Sequence, residues 1–164
     1  MPAAPAGRPL RALFVCTGNS ARSQMAEAVM NARSRGRIVA ASAGSAPATR
    51  VHPLALAALE AHGYAWSGHP PQGLDAVMGQ PWDLVITVCD RARESCPVLP
   101  GQPAVAHWGM PDPAEATGTE AERQRAFDDA LRLVTRRIEL LLALPVEQLK
   151  RLALESEAEV IGDS

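Results

Sequence analysis

The strongest constraint on this chain is a junction near its start. An apolar run over residues 10–15 stops at Cys16, and Thr17-Gly18-Asn19-Ser20-Ala21-Arg22 follows before a helical pattern takes over at 23–35. A short apolar run without alternation suits a strand buried on both faces, as in a parallel sheet. A strand-loop-helix junction aims the loop's N–H groups and the positive end of the helix dipole at one spot, which favours a tetrahedral oxyanion there. Cys16 would sit under that anion, and the planar fork of Arg22 can meet two of its oxygens. Ser23, in the first helical turn, can donate to a thiolate, and Asn19 can hold the loop's shape through backbone contacts. Thr17, Gly18, Asn19, Ser20, Ala21, Arg22 and Ser23 are therefore read as an oxyanion cradle with Cys16 as its nucleophile. A cysteine ending an apolar strand is usually a packing residue, but Gly18, Asn19 and Ser23 in this setting separate it from that reading. Helix N-termini and nearby cations lower a thiol's pKa from about 8.5, so Cys16 is predicted to be largely thiolate near neutrality.

The rest of the chain alternates strands and helices. A second strand is predicted over 37–43, ended by Gly44, and Pro53 opens a helix running to about 62. A short helix over 74–78 and strands over 83–88 and 104–107 follow. A long helix over 119–144 carries an apolar stripe of Ala126, Ala130, Leu133, Val134, Ile138, Leu141 and Leu142, and Pro145 stops it. This order predicts one α/β domain, a three-layer sandwich with a central, mostly four-stranded parallel sheet flanked by helices. The site then belongs at the carboxyl ends of the strands, where Cys16 and Cys89 both fall. Residues 1–9 read as a flexible extension, 10–145 as the domain, and 146–164 as a tail with weak amphipathic helical spacing.

A length of 164 residues is enough for one core. The net charge of −2 gives no electrostatic case for nucleic acid, so anion binding must come from local geometry. No run approaches the ~20 apolar residues of a membrane span, and none has the form of a signal peptide. The expectation is a cytoplasmic protein, where thiols stay reduced and disulfides are mostly transient and catalytic. Cys89 and Cys96 fall in a segment, 89–103, read as exposed and mobile because it lacks periodicity and holds Pro97, Pro100, Gly101 and Pro103. Six intervening residues are not a zinc spacing, so no metal site is predicted. Two readings of the pair stay open: ordinary loop thiols, or a disulfide relay, which needs in-line access to each sulfur.

Taken together, the motifs resemble the thioredoxin-coupled arsenate reductases, which share the low-molecular-weight protein tyrosine phosphatase fold. The matching pieces are Val15-Cys16-Thr17-Gly18-Asn19-Ser20, Arg22-Ser23-Gln24-Met25-Ala26-Glu27, Ser42-Ala43-Gly44, Val51-His52-Pro53, Cys89 with Cys96-Pro97, and His107-Trp108-Gly109-Met110-Pro111-Asp112-Pro113. The resemblance implies that Cys16 attacks arsenate, that Arg22 and the loop amides stabilise its oxygens, and that Asp112 protonates the departing oxygen. It further implies a Cys16 to Cys89 disulfide, passed on to Cys96 and reduced by thioredoxin, with no bound cofactor and a monomeric chain. His52 reads as a helix-start residue with a minor anion contact open to it, while His107 and Trp108 shape the segment that presents Asp112. Ala21 stands where some relatives carry a further cysteine. Asn19, Glu27 and Ser42 match positions that hold potassium in certain relatives, but Gln72 replaces an expected acidic ligand, which argues against a potassium requirement. The competing readings are a phosphotyrosine phosphatase working through a phosphocysteine, and a redox sensor signalling through a Cys89 to Cys96 disulfide. Against the phosphatase, Pro113 is followed by Ala114 and Glu115 rather than tyrosines, and that reaction needs neither Cys89 nor Cys96.

Overall fold

The computed structural model describes residues 9–66, 68–89 and 103–145. Its elements are β1 (Leu10–Cys16), α1 (Arg22–Arg33), β2 (Ile38–Gly44), α2 (Pro53–Ala61), a 3-10 turn (Leu74–Ala76), β3 (Leu84–Thr87), β4 (Ala104–His107), a second 3-10 turn (Pro113–Glu115) and α3 (Glu120–Leu142). The strands form one four-stranded sheet in the order β2-β1-β3-β4, and every pairing is parallel. The α/β architecture read from the sequence is thus the observed one. No helix among the described residues is long and apolar enough to cross a membrane.

The topology places the site. From β1 the chain crosses to β2 on one side, and from β3 it crosses to β4 on the other, so the carboxyl ends of β1 and β3 flank a topological switch point. Cys16 ends β1. The ladder runs past β3, because Val88 N–H donates to the Val15 carbonyl at 2.8 Å, and this carries Cys89 to the same end. β1 and β3 lie inside the sheet and supply its apolar centre: Leu13, Phe14, Val15, Val85 and Ile86 have no exposed surface.

Element ends differ from the sequence reading by one or two residues. α1 stops at Arg33 rather than 35, because Arg35 and Gly36 both take positive φ and turn the chain toward β2. α3 starts one residue late because Thr119 is its cap, its hydroxyl accepting from Glu122 N–H while the Glu122 carboxylate accepts from Thr119 N–H. Ala130, Val134, Ile138 and Leu141 of the predicted α3 stripe are buried, and Ala126, Leu133 and Leu142 are partly buried. The buried face also takes in Phe127 and Leu131, with the Phe127 ring on His52 at a centroid distance of 4.5 Å. The predicted tail over 146–164 lies outside the described residues.

Candidate active site

The loop after β1 is held from outside so that its amides face inward. The carbonyls of Cys16, Thr17, Gly18 and Ser20 accept from the N–H groups of Ser45, Ala46, Ala48 and His52 at 2.8 to 3.0 Å. A peptide whose carbonyl points out points its N–H the other way, and Asn19 N–H accordingly reaches Cys16 Sγ at 3.2 Å. α1 begins with Ala21 at its cap, with no capping side chain and no acid in the first turn. Its leading N–H groups are therefore left for an anion.

Asn19 is the centre of the loop's support. It takes a left-handed φ of +52°, which asparagine tolerates better than most side chains, and its buried amide makes three bonds. Oδ1 accepts from Gln72 N–H at 3.0 Å, which fixes the amide's orientation, and Nδ2 donates to Ser23 Oγ at 2.8 Å and Ser42 Oγ at 2.9 Å. Ser42 spends its own proton on Glu27 Oε1 at 2.6 Å. Ser23 Oγ, already an acceptor from Asn19, lies 2.8 Å from Cys16 Sγ, a contact across which either atom can donate. When the sulfur is a thiolate it has no proton, and Ser23 is then the donor.

Glu27 and His69 were missed as supports by sequence reasoning. Glu27 is almost fully buried and lies 2.7 Å from His69 Nε2; a glutamate four residues after Ser23, on the same face of α1, was the available signal. The donor set here does not suit potassium. Glu27 Oε1 meets Ser42 Oγ and His69 Nε2, and Gln72 turns N–H groups, not oxygens, toward Asn19 and Ser42.

The other predicted residues divide as follows. Arg22 donates to the Met110 carbonyl at 3.1 Å, and its Nη2 lies 3.6 Å from Asp112 Oδ2. Asp112, about one third exposed, also accepts from Ala114 N–H and so caps the second 3-10 turn. Arg22 and Asp112 are therefore brought together at the loop's mouth. His107 Nδ1 lies 2.8 Å from Thr87 Oγ1, and Trp108 is buried beside Phe14, which suits the shaping role expected of both. Cys89 corrects the reading of 89–103 as an exposed segment: it is 5% exposed, with Sγ 3.2 Å from Thr17 Oγ1, because the extended β3 ladder seats it against the loop. Cys96 lies outside the described residues.

Burial works against the thiolate expected for Cys16. Burial pushes its thiol up, and this outweighs the Ser23 hydroxyl, the backbone amides of Ser23 and Asn19, and Arg22, all of which pull it down. The sequence exposes the stabilising groups, but it does not show that the sulfur is 2% exposed. Desolvation disfavours the thiolate.

Comparison with known proteins follows the same lines. Residues 11–154 match the low molecular weight phosphotyrosine protein phosphatase family. An arsenate reductase of Halalkalibacterium halodurans is 39% identical over 114 residues, covering 70% of this chain and 81% of that protein. The crystal structure of an arsenate reductase from Archaeoglobus fulgidus is 34% identical with a TM-score of 0.65, covering 81% of this chain and 99% of its own. A thioredoxin-dependent arsenate reductase of Corynebacterium glutamicum is 31% identical with a TM-score of 0.58, covering 82% of this chain and 64% of its own. The chain therefore belongs to the low molecular weight phosphotyrosine protein phosphatase family, where it groups with the arsenate reductases.

Proposed function

We propose that this chain reduces arsenate to arsenite through a Cys16, Cys89 and Cys96 relay recycled by thioredoxin. The observation that carries the reading is the placement of a second buried thiol, Cys89, beside Thr17, the residue next to Cys16 in the oxyanion loop. Cys16 sulfur forms a bond to arsenic as one arsenate oxygen departs, protonated by Asp112 and released as water. Arg22 and the loop amides hold the remaining oxygens. Cys89 sulfur then attacks Cys16 sulfur. The sulfur-arsenic bond breaks with its electron pair left on arsenic, which leaves as arsenite, and a Cys16 to Cys89 disulfide remains. Cys96 attacks Cys89, freeing Cys16 as thiolate, and the thioredoxin dithiol reduces the Cys89 to Cys96 disulfide as it is itself oxidised. A phosphatase would use the same loop and Asp112 but would leave Cys89 without a role.

The test is arsenate-dependent NADPH oxidation with thioredoxin and thioredoxin reductase, run beside a no-arsenate control. Sustained oxidation is expected. In the same assay Cys96→Ser is expected to release about one arsenite per chain and then stop, trapped as the Cys16 to Cys89 disulfide. Normal turnover of that variant would remove Cys96 from the relay.

Ser23→Ala tests how the sulfur is activated. Ser23 lowers the Cys16 pKa, so its loss leaves less thiolate at neutral pH. The first step is expected to slow roughly tenfold at pH 7, the scale of one hydrogen bond to a charged group. The direction follows from the acid form being inactive: the rate should recover as pH rises, moving the single-turnover pH profile to the alkaline side. An unmoved profile would show that Ser23 only supports the loop.

A further inference from the structure

We propose that the open cleft beside the loop, lined by Ser20, Arg50, His52, Glu120 and Arg123, is a second oxyanion site that collects tetrahedral dianions ahead of the Cys16 loop. The ligand chemistry is that shared by arsenate and phosphate, and the kinetic role assigned to the cleft rests on the arsenate-reductase reading.

Ser20 belongs both to the loop and to the cleft, and its carbonyl accepts from His52 N–H at 2.8 Å, so the two sites share a wall. Among the described residues no carboxylate forms an ion pair with the guanidinium of Arg50 or Arg123. Both act on His52, whose pKa is held below its ordinary value first by burial, then by Arg123 and Arg50, with Asp112 opposing. His52 is therefore mainly neutral at pH 7. Its Nδ1 accepts from Leu54 N–H at 3.1 Å, which leaves the proton on Nε2 as a donor. The cleft thus gathers two unpaired cations and a neutral donor against one lining carboxylate, Glu120. Such a local field raises the concentration of a dianion even where the whole chain is slightly acidic. The arginines are exposed and keep their hydration, which suits transient capture rather than chemistry.

The test joins binding and kinetics. In nuclear magnetic resonance titrations of the reduced wild-type chain, inorganic phosphate is expected to saturate two separable sets of signals. One set comprises the amides of residues 17–23, the other the Arg50 and Arg123 side chains with the His52 ring. In the Arg50→Ala/Arg123→Ala double variant the His52 ring should no longer respond to phosphate, while the amides of residues 17–23 still do. With arsenate, the same variant should show KM raised roughly threefold or more at low ionic strength and an unchanged kcat. The difference should vanish near 1 M salt, where the screening length falls to about 3 Å. Arg50→Lys/Arg123→Lys should keep the wild-type KM, because charge rather than a fixed fork is required. Phosphate that moves the loop amides but not Arg50, Arg123 and His52 overturns this proposal alone; so does an unchanged KM in the double alanine variant at low salt. Phosphate that moves neither set overturns the oxyanion loop with it.

Discussion

Cys16→Ser is expected to leave no arsenate-dependent turnover, a loss of at least about 10⁴-fold on the scale seen when an enzyme's nucleophile is removed. The argument is specific to this site. Burial already pushes the Cys16 thiol up against four lowering influences, and a hydroxyl, a far weaker acid, would stay protonated in the same surroundings. Oxygen also cannot complete the relay: reduction requires Cys89 to form a disulfide as the bond to arsenic breaks, and serine offers no sulfur to receive it. The fold should survive, since the serine oxygen can keep the contacts with Ser23 Oγ and Asn19 N–H. Single-turnover arsenite release with a thermal melt checks both halves. A folded variant that still releases arsenite faster than about a thousandth of the wild-type rate would move the nucleophile elsewhere.

The fold was legible because the apolar runs are short, unalternated and separated by helical spacing, and the sheet buries β1 on both faces as that pattern requires. The loop was legible in part, since Asn19 and Ser23 have local tasks that their residue types announce, whereas Gly18 takes no positive φ and a Cβ there would make only ordinary contacts. What escaped the sequence was long-range. His69 reaches Glu27 across 42 positions and Gln72 reaches Asn19 across 53, contacts that no local spacing encodes. The opposition to a Cys16 thiolate escapes the sequence for the same reason: the groups that stabilise a thiolate are neighbours in sequence, whereas the burial that opposes them comes from the whole fold. Cys89 departs from the sequence reading because a proline-rich segment reads as exposed from its first residue, whereas the β3 ladder continues to Val88. Phe127 lies on the same buried face of α3 as Ala130, Val134, Ile138 and Leu141, and its contact with His52 is another long-range pairing that helical spacing alone does not single out.

Gly44→Ala is expected to cost about 10²-fold or more in kcat/KM together with about 1–3 kcal/mol of stability. A Cβ at position 44 would stand 2.4 Å from the Thr17 carbonyl oxygen, 3.0 Å from Asn19 N and 3.1 Å from the Gly18 carbonyl carbon. All three are backbone atoms, so no side chain can swing aside. Relief needs a shift of roughly 1 Å in the loop, or in the strand end, which is fixed by Gly44 N–H to the Gln72 carbonyl at 2.8 Å. Moving the Thr17 peptide carries its hydroxyl from Cys89, and moving Asn19 carries its N–H from Cys16. A misplacement of this size is enough to cost about two orders of magnitude in an oriented reaction. Gly79→Ala serves as the comparison, since a Cβ there meets nothing within 4 Å and should leave the rate unchanged. Kinetics and melts of the two variants side by side distinguish a loop set by close backbone approach from one that tolerates an added methyl. If Gly44→Ala behaves like Gly79→Ala, then the loop can relocate without loss, and the rigid cradle argued from its hydrogen bonds is not what orients Cys16.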